Sequence, residues 1–208
     1  MLTKKPVNDF VEEVASALPA PGGGSVSALV GALGASLTSM VCRLTIGKKK
    51  YLDVQGEMEI ALARAEELRL RLTDLVEKDT TAFQAVMNAF TLPKETEEQK
   101  QSRSEAIQEA TKGAAIVPLD VMAHCEQAIG LVRTVAEKGN VNSITDAGVA
   151  ALMINAACIG AALNVRINLG TLQDQEFVQS TQQRLDAILK SVQDTATSIQ
   201  QTVEQKLS

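Results

Sequence analysis

The sequence predicts an all-α fold: a single domain spanning residues 1–208, built as a bundle of long helices around two buried, uncharged helices rich in small residues. Three observations carry that prediction. Apolar residues return at threes and fours along most of the chain, and strand-like alternation is nowhere sustained. Two stretches, residues 22–42 and about 143–169, are almost free of charge and dense in Gly, Ala and Ser. Pro19, Pro21, Gly47, Pro93 and Gly139 fall between the periodic segments, with no internal repeat and no low-complexity linker.

A first helix is predicted over residues 7–18, where Val7, Phe10, Val11, Val14 and Leu18 make one stripe. Pro19 and Pro21 stop it, since proline lacks an amide donor and its predecessor avoids helical dihedrals. Gly22, Gly23 and Gly24 follow, and Ser25 reads as the N-cap of a second helix running to about residue 46. Small residues recur there at Ala28, Gly31 or Ala32, Ala35 and Ser39. With several hydroxyls besides, the stretch reads as a buried helix that neighbours approach closely, not as a membrane span. Gly47, Lys48, Lys49, Lys50 and Tyr51 follow at its end.

The third helix, residues 52–90, would be roughly 55–60 Å long. Its seam runs Met58, Ala61, Ala65, Leu68, Leu72, Leu75, then Asp79, Ala82 and Val86. A charge in an apolar seam is costly to bury, so Asp79 must be paired, hydrated or functional. Pro93 ends this helix, and Thr96 with Gln99 has capping-box spacing for the next. Pro118 is expected to kink or restart that helix, which closes at Gly139. Ser143 and Asp146 have capping-box spacing at the head of the second uncharged helix, on which Asn164 and Asn168 share a face. A last seam runs from Phe177 through Leu185, Ile188, Val192, Ala196 and Ile199 to Val203.

Composition excludes several function classes. A net charge of -5 and an aromatic content of 2% leave neither the electrostatic footprint nor the stacking platform of a nucleic-acid binder. Cys42, Cys125 and Cys158 fit no metal spacing and suit a reducing cytoplasm. The start, MLTKKPVNDF, has no apolar run and does not read as a signal peptide. His124 has no partner at ligand spacing, and no zinc, calcium or P-loop pattern is present, so no metal is expected.

The remaining polar positions are the candidates for chemistry. Gly22–Gly24 either make a tight turn with positive φ and close packing, or offer amides at a helix N-terminus to a ligand. Lys48 and Lys49, beside Tyr51, are either a solvated helix exit or a site for a carboxylate. Asp79 reads as a functional carboxylate. Asp146 is either a helix cap or its acid–base partner from another helix.

Together PAPGGGS, GKKKY, the Asp79-Thr80-Thr81-Ala82-Phe83 stretch, GNVNSITDAGVAAL and LNVRINL resemble, in the same order, the cyclodeaminase/cyclohydrolase family. This is the family of formiminotetrahydrofolate cyclodeaminase and methenyltetrahydrofolate cyclohydrolase, and the likeness runs from about Phe10 to the last helix. The resemblance implies an all-helical homodimer with a folate cleft near the subunit interface, a tetrahydrofolate derivative as substrate, and no permanently bound cofactor. It implies Asp79 and Asp146 as the acid–base and cation-stabilising pair, with Gly22, Gly23, Gly24 and Ser25 approaching the pterin or the bridge atoms. Lys48 and Lys49 would hold the glutamate carboxylates with Tyr51 beside them. Asn164 and Asn168 would hydrogen-bond the pterin or orient an aspartate.

Two reactions are open to such a site, because both pass through a tetrahedral carbon between N5 and N10. One hydrolyses 5,10-methenyltetrahydrofolate to 10-formyltetrahydrofolate; the other closes 5-formiminotetrahydrofolate with loss of ammonia. The transferase that supplies the second reaction in the animal two-activity enzyme has no counterpart in these residues, which favours the first. A non-catalytic helical scaffold or folate-binding module is the third reading. It would be expected to lose polar seam residues, and Asp79 and Asp146 are present.

Overall fold

The computed structural model describes residues 1–208 and is helical throughout. Six α-helices follow in order: α1 (Val7–Val14), α2 (Gly23–Thr45), α3 (Gln55–Phe90), α4 (Glu97–Lys138), α5 (Ile144–Leu169) and α6 (Gln175–Leu207). Short 3-10 turns at Leu2–Lys4, Lys49–Val54 and Val141–Ser143 join or precede them. The five long helices form the bundle, with α2 and α5 packed on each other and flanked by α3, α4 and α6.

The α2–α5 contact follows from the small-residue pattern. Gly31 lies against Leu72 and Ala157, and a Cβ at Gly34 would stand 2.8 Å from the Ile154 side chain. These positions bring the two backbones together, with Ala28, Ala32, Ala35, Ala150, Ala157 and Ala161 sealed between the helices. The pair runs antiparallel: Gly23 faces Asn164 at one end, and the Asn140 amide donates to Thr45 Oγ1 at the other. The α3 seam is buried from Met58 to Leu75 as its spacing predicts, while its continuation at Asp79, Ala82 and Val86 is only half-buried. Met58, Leu68, Leu72 and Leu75 are inside, and each contributes about 1.5–3 kcal/mol of apolar burial.

Three helical segments (Gly23–Thr45, Glu97–Lys138 and Val141–Leu169) are long and apolar enough to cross a membrane by length and composition. In the fold their buried faces are spent on one another. Two apolar rows stay outside: Leu33, Met40 and Leu44 on α2, and Val149, Leu152, Ile159, Leu163 and Ile167 on α5.

Several predicted boundaries move. The first helix stops at Val14, four residues short of the expected end, and the third begins at Gln55 after a 3-10 turn. Gly22, not Ser25, is the N-cap of α2. Ser143 caps α5 without any side-chain hydrogen bond, so the capping box expected with Asp146 does not form. Thr96 and Gln99 do form theirs. The largest departure is at Pro118, where the helix does not restart: α4 continues through it for 42 residues in all. A helix-interior proline costs about 3 kcal/mol and leaves the carbonyl four residues back without its amide. That carbonyl is Ala114, and it finds a donor on another helix: Asn168 Nδ2 lies 3.0 Å from it.

Candidate active site

The N-terminus of α2 meets the Asp79 turn of α3 at a cavity of about 360 Å³. Pro19, Ala20 and Gly22–Gly24 form one wall, Asp79, Ala82, Phe83 and Val86 a second, and Ala114, Asn164, Ile167 and Asn168 the third. Asp79 is the only titratable side chain among them. The wall is otherwise apolar carbon, amide and backbone.

Asp79 is half-buried and tied to α2 rather than to a cation. Ser25 Oγ lies 2.8 Å from Asp79 Oδ2, 3.0 Å from the Val76 carbonyl and 3.3 Å from Thr80 Oγ1. Gly22 has no side chain to cap α2, so the carboxylate of a neighbouring helix takes that place, where anions are favoured. Two influences compete for its pKa. Burial pushes it up, while the Ser25 hydroxyl and backbone amide hold it down; burial prevails and the carboxyl sits above its ordinary 3.8.

In the glycine loop, close packing falls on Gly24 alone. None of Gly22, Gly23 or Gly24 has a positive φ; that conformation belongs to Gly47 alone, at 76°. Gly24 is required by space, because a Cβ there would fall 2.0 Å from Asp79 Oδ1. Ser25 is fully buried, so its hydroxyl serves Asp79 and the α3 backbone from behind the cavity wall.

The two asparagines stand where the sequence put them, on one face of α5. Asn164 Nδ2 donates to the Gly160 carbonyl at 2.9 Å. Asn168 Nδ2 donates both hydrogens, to the Ala114 carbonyl and to the Asn164 carbonyl at 2.9 Å.

The other predicted residues lie elsewhere. Lys48, Lys49 and Tyr51 follow the far end of α2, about 35 Å from the glycine loop at 1.5 Å per residue. There they line a second, shallow cavity of about 380 Å³ with Lys50, Asn140, Val141 and Asn142. The Tyr51 hydroxyl accepts from the Val141 amide at 3.0 Å, so it braces this turn against the head of α5. Asp146 is in the first turn of α5 at the same end, about 27 Å along the helix from Asn164. Within one chain, then, Asp79 and Asp146 do not share a site. His124 is spent on a local contact, its Nδ1 2.5 Å from the Asp120 carbonyl one turn back. A larger open groove of about 650 Å³ between α5 and α6 holds Glu204 as its only charged side chain.

Sequence reasoning did not single out Val86, Ala114 or Ile167 as walls of the Asp79 cavity, nor Pro118 as the cause of a free carbonyl beside it. The available signal was Pro118 itself, in an otherwise continuous helical pattern.

One half-buried carboxyl with a raised pKa, set in a cavity of amides and hydrocarbon on an all-helical scaffold, is the class of site where enzymes bind small organic ligands and carry out acid–base chemistry. The comparisons make the class particular. The family model described as formiminotransferase-cyclodeaminase matches residues 6–187, and the chain belongs to that family. It is 43% identical to methenyltetrahydrofolate cyclohydrolase of Methylorubrum extorquens over 208 residues, all of both chains. It is 35% identical to formimidoyltransferase-cyclodeaminase of Rattus norvegicus over 94% of this chain but only 36% of that one. The crystal structure of formiminotetrahydrofolate cyclodeaminase from Thermotoga maritima superposes with a TM-score of 0.90 at 32% identity, covering both chains completely.

Proposed function

We propose that this protein is a tetrahydrofolate one-carbon enzyme that hydrolyses 5,10-methenyltetrahydrofolate to 10-formyltetrahydrofolate. The observation that carries the hydrolytic reading is the identity of 43% with the cyclohydrolase, against 32% and 35% for the two cyclodeaminases named above. Chain length does not separate the activities, because the Thermotoga cyclodeaminase is also matched from end to end.

The chemistry suits Asp79. The substrate carries an amidinium cation, and an ionised carboxylate beside it offsets that charge in a cavity walled mostly by hydrocarbon and amides. Water adds to the methenyl carbon while Asp79 takes one of its protons. The adduct then collapses: the C–N5 electron pair goes to N5, which receives the proton from Asp79. The hydroxyl proton leaves to solvent as the formyl carbonyl forms on N10. A group that accepts and then returns a proton works best with a pKa nearer the working pH, the direction in which burial moves Asp79.

The cavity takes a pterin and its bridge, and the benzoylglutamate must extend beyond it. Lys48, Lys49 and Tyr51 of the same chain are too far away to receive the glutamate. A two-fold dimer through the exposed apolar rows of α2 and α5 would set the lysine end of one copy against the Asp79 end of the other. Ile167 belongs both to that stripe and to the cavity wall, which supports a cleft at the subunit boundary. Asp146 would join the site by the same operation. The three free, buried cysteines support a reducing, cytoplasmic setting.

The first test is the 5,10-methenyltetrahydrofolate chromophore followed with purified protein against the spontaneous rate. Decay well above background is expected. Decay at the background rate, with methenyl formation from 5-formiminotetrahydrofolate, would move the assignment to the cyclodeaminase. The shared cleft has its own test. Asp79→Asn protein is mixed with Lys48→Ala/Lys49→Ala protein, dissociated and reassociated. Half the dimers are then mixed and each carries one intact site, so about a quarter of wild-type activity returns at substrate levels below KM. Wild-type KM in the Lys48→Ala/Lys49→Ala protein by itself would place the lysines outside the site, and a raised KM there with no recovery on mixing would rule out a cleft shared across the two-fold.

A further inference from the structure

We propose that Pro118 is a positioning residue for ligand recognition. By withholding a backbone amide it reserves the Ala114 carbonyl for Asn168, and so locks the Asn168 amide with Oδ1 turned outward as a hydrogen-bond acceptor. The inference rests on the folate reading and deepens it, since an outward acceptor selects the N–H edge of a pterin.

In an unbroken helix the residue-118 amide would donate to the residue-114 carbonyl. Proline has no such hydrogen, yet α4 continues past it. The Ala114 carbonyl lies on the cavity wall, and the donor that reaches it is Asn168 Nδ2 from α5, at 3.0 Å. The second Nδ2 hydrogen goes to the Asn164 carbonyl at 2.9 Å. Both partners are carbonyl oxygens, which accept and cannot donate, so the amide has one admissible orientation. Oδ1 is left without a partner inside the chain. Asn155 has a side-chain oxygen sealed from solvent and unpaired; Asn168 Oδ1 is not in that condition, and its residue lines the cavity.

A pterin presents N–H donors at N3 and at its 2-amino group. An amide free to rotate would offer a donor or an acceptor to them in turn; one pinned by two carbonyls offers only the acceptor. Restoring the amide at position 118 returns the Ala114 carbonyl to its own helix and loosens that pin. No titration is involved, and the effect should fall on binding rather than on the proton-transfer step.

The test uses the full chain with Pro118→Ala, and with Pro118→Val as a second variant nearer to proline in volume. Tetrahydrofolate binding is measured anaerobically by calorimetry, and KM and kcat are measured on 5,10-methenyltetrahydrofolate. Pro118 is buried, so Pro118→Ala trades the packing of its ring for the restored amide, and Pro118→Val, which keeps more of that volume, is expected to hold the wild-type thermal midpoint. Tetrahydrofolate binding and KM should weaken about three- to tenfold, one hydrogen bond's worth, with a smaller change in kcat. Asn168→Ala should weaken binding at least as much, and adding Pro118→Ala to it should cause no further loss, since the two act through one contact. Wild-type affinity in both proline variants, or a proline effect that persists undiminished on the Asn168→Ala background, overturns the proposal. Failure of the wild-type protein to bind tetrahydrofolate would instead remove the folate reading on which it stands.

Discussion

Asp79→Asn is expected to lower kcat by about 10²–10⁴-fold, the usual range for loss of a positioned acid–base group, while the protein stays folded. Asparagine keeps the shape and can still accept the Ser25 hydroxyl that lies 2.8 Å from the carboxylate. It cannot take and return a proton or offset the amidinium charge. The same replacement should not destabilise the chain at neutral pH. Burial holds the native carboxyl above its ordinary 3.8, so the folded protein binds that proton more tightly than the unfolded chain does. The stability this lends is fully present below the unfolded pKa and is lost as pH rises through the native one. At neutral pH wild type therefore bears the cost of a half-buried charge, and the Asp79→Asn protein does not. Its thermal midpoint should equal or exceed that of wild type at pH 7, with the gap closing as pH falls toward 3.8. A near-wild-type kcat would dismiss Asp79 as the proton-transfer group. A midpoint well below wild type at pH 7 would mean that the charge stabilises the fold as a helix cap.

Much of this was legible in the sequence because it depends on periodicity. The α3 seam reads off at threes and fours, and Asp79 stands out as the member that apolar burial cannot explain. The same regularity placed Asn164 and Asn168 on one face, and the small residues of α2 foretold a close approach by a neighbour, which the structure shows to be α5. What sequence could not supply is which ends of the helices meet. Asp146 stands at the head of α5 and Asp79 of α3 sits against the head of α2, and because α2 and α5 run antiparallel the two carboxylates lie at opposite ends of the bundle. Ser25 was misread for a related reason. Its place after three glycines suits an N-cap, yet the N-cap is Gly22, three residues earlier, and the carboxylate that meets the Ser25 amide and hydroxyl comes from α3. Of the two outcomes expected at Pro118, a kink or a restart, the restart does not occur, because local propensity is a weak prior and here a neighbouring helix satisfies the freed carbonyl.

Gly24→Ala should nearly abolish turnover although alanine is the better helix former. The added Cβ would lie 2.0 Å from Asp79 Oδ1, 2.6 Å from Cγ and 2.9 Å from Oδ2, which no side-chain adjustment of alanine can relieve. Either the carboxylate swings away and loses the Ser25 hydroxyl, or the N-terminus of α2 moves off α3. A displacement of about 1 Å at the reacting group costs on the order of 10²-fold in rate. Overpacking would cost about 1–3 kcal/mol, partly offset by the helix propensity gained, so the variant should fold. Gly23→Ala is the internal control one residue away. Its Cβ would meet Asn164 Nδ2 at 3.6 Å, an ordinary contact, and would project toward the cavity rather than onto Asp79. That variant should raise KM by reducing the space for ligand while leaving kcat within a few-fold of wild type. The contrast between neighbours is the test, measured as kcat and KM side by side on the methenyl substrate. Equal loss of kcat in both would mean that the loop needs glycine for its backbone alone. A loss confined to Gly24→Ala would tie the tripeptide to the placement of one carboxylate, which is how a turn with no functional side chains can decide whether the enzyme works.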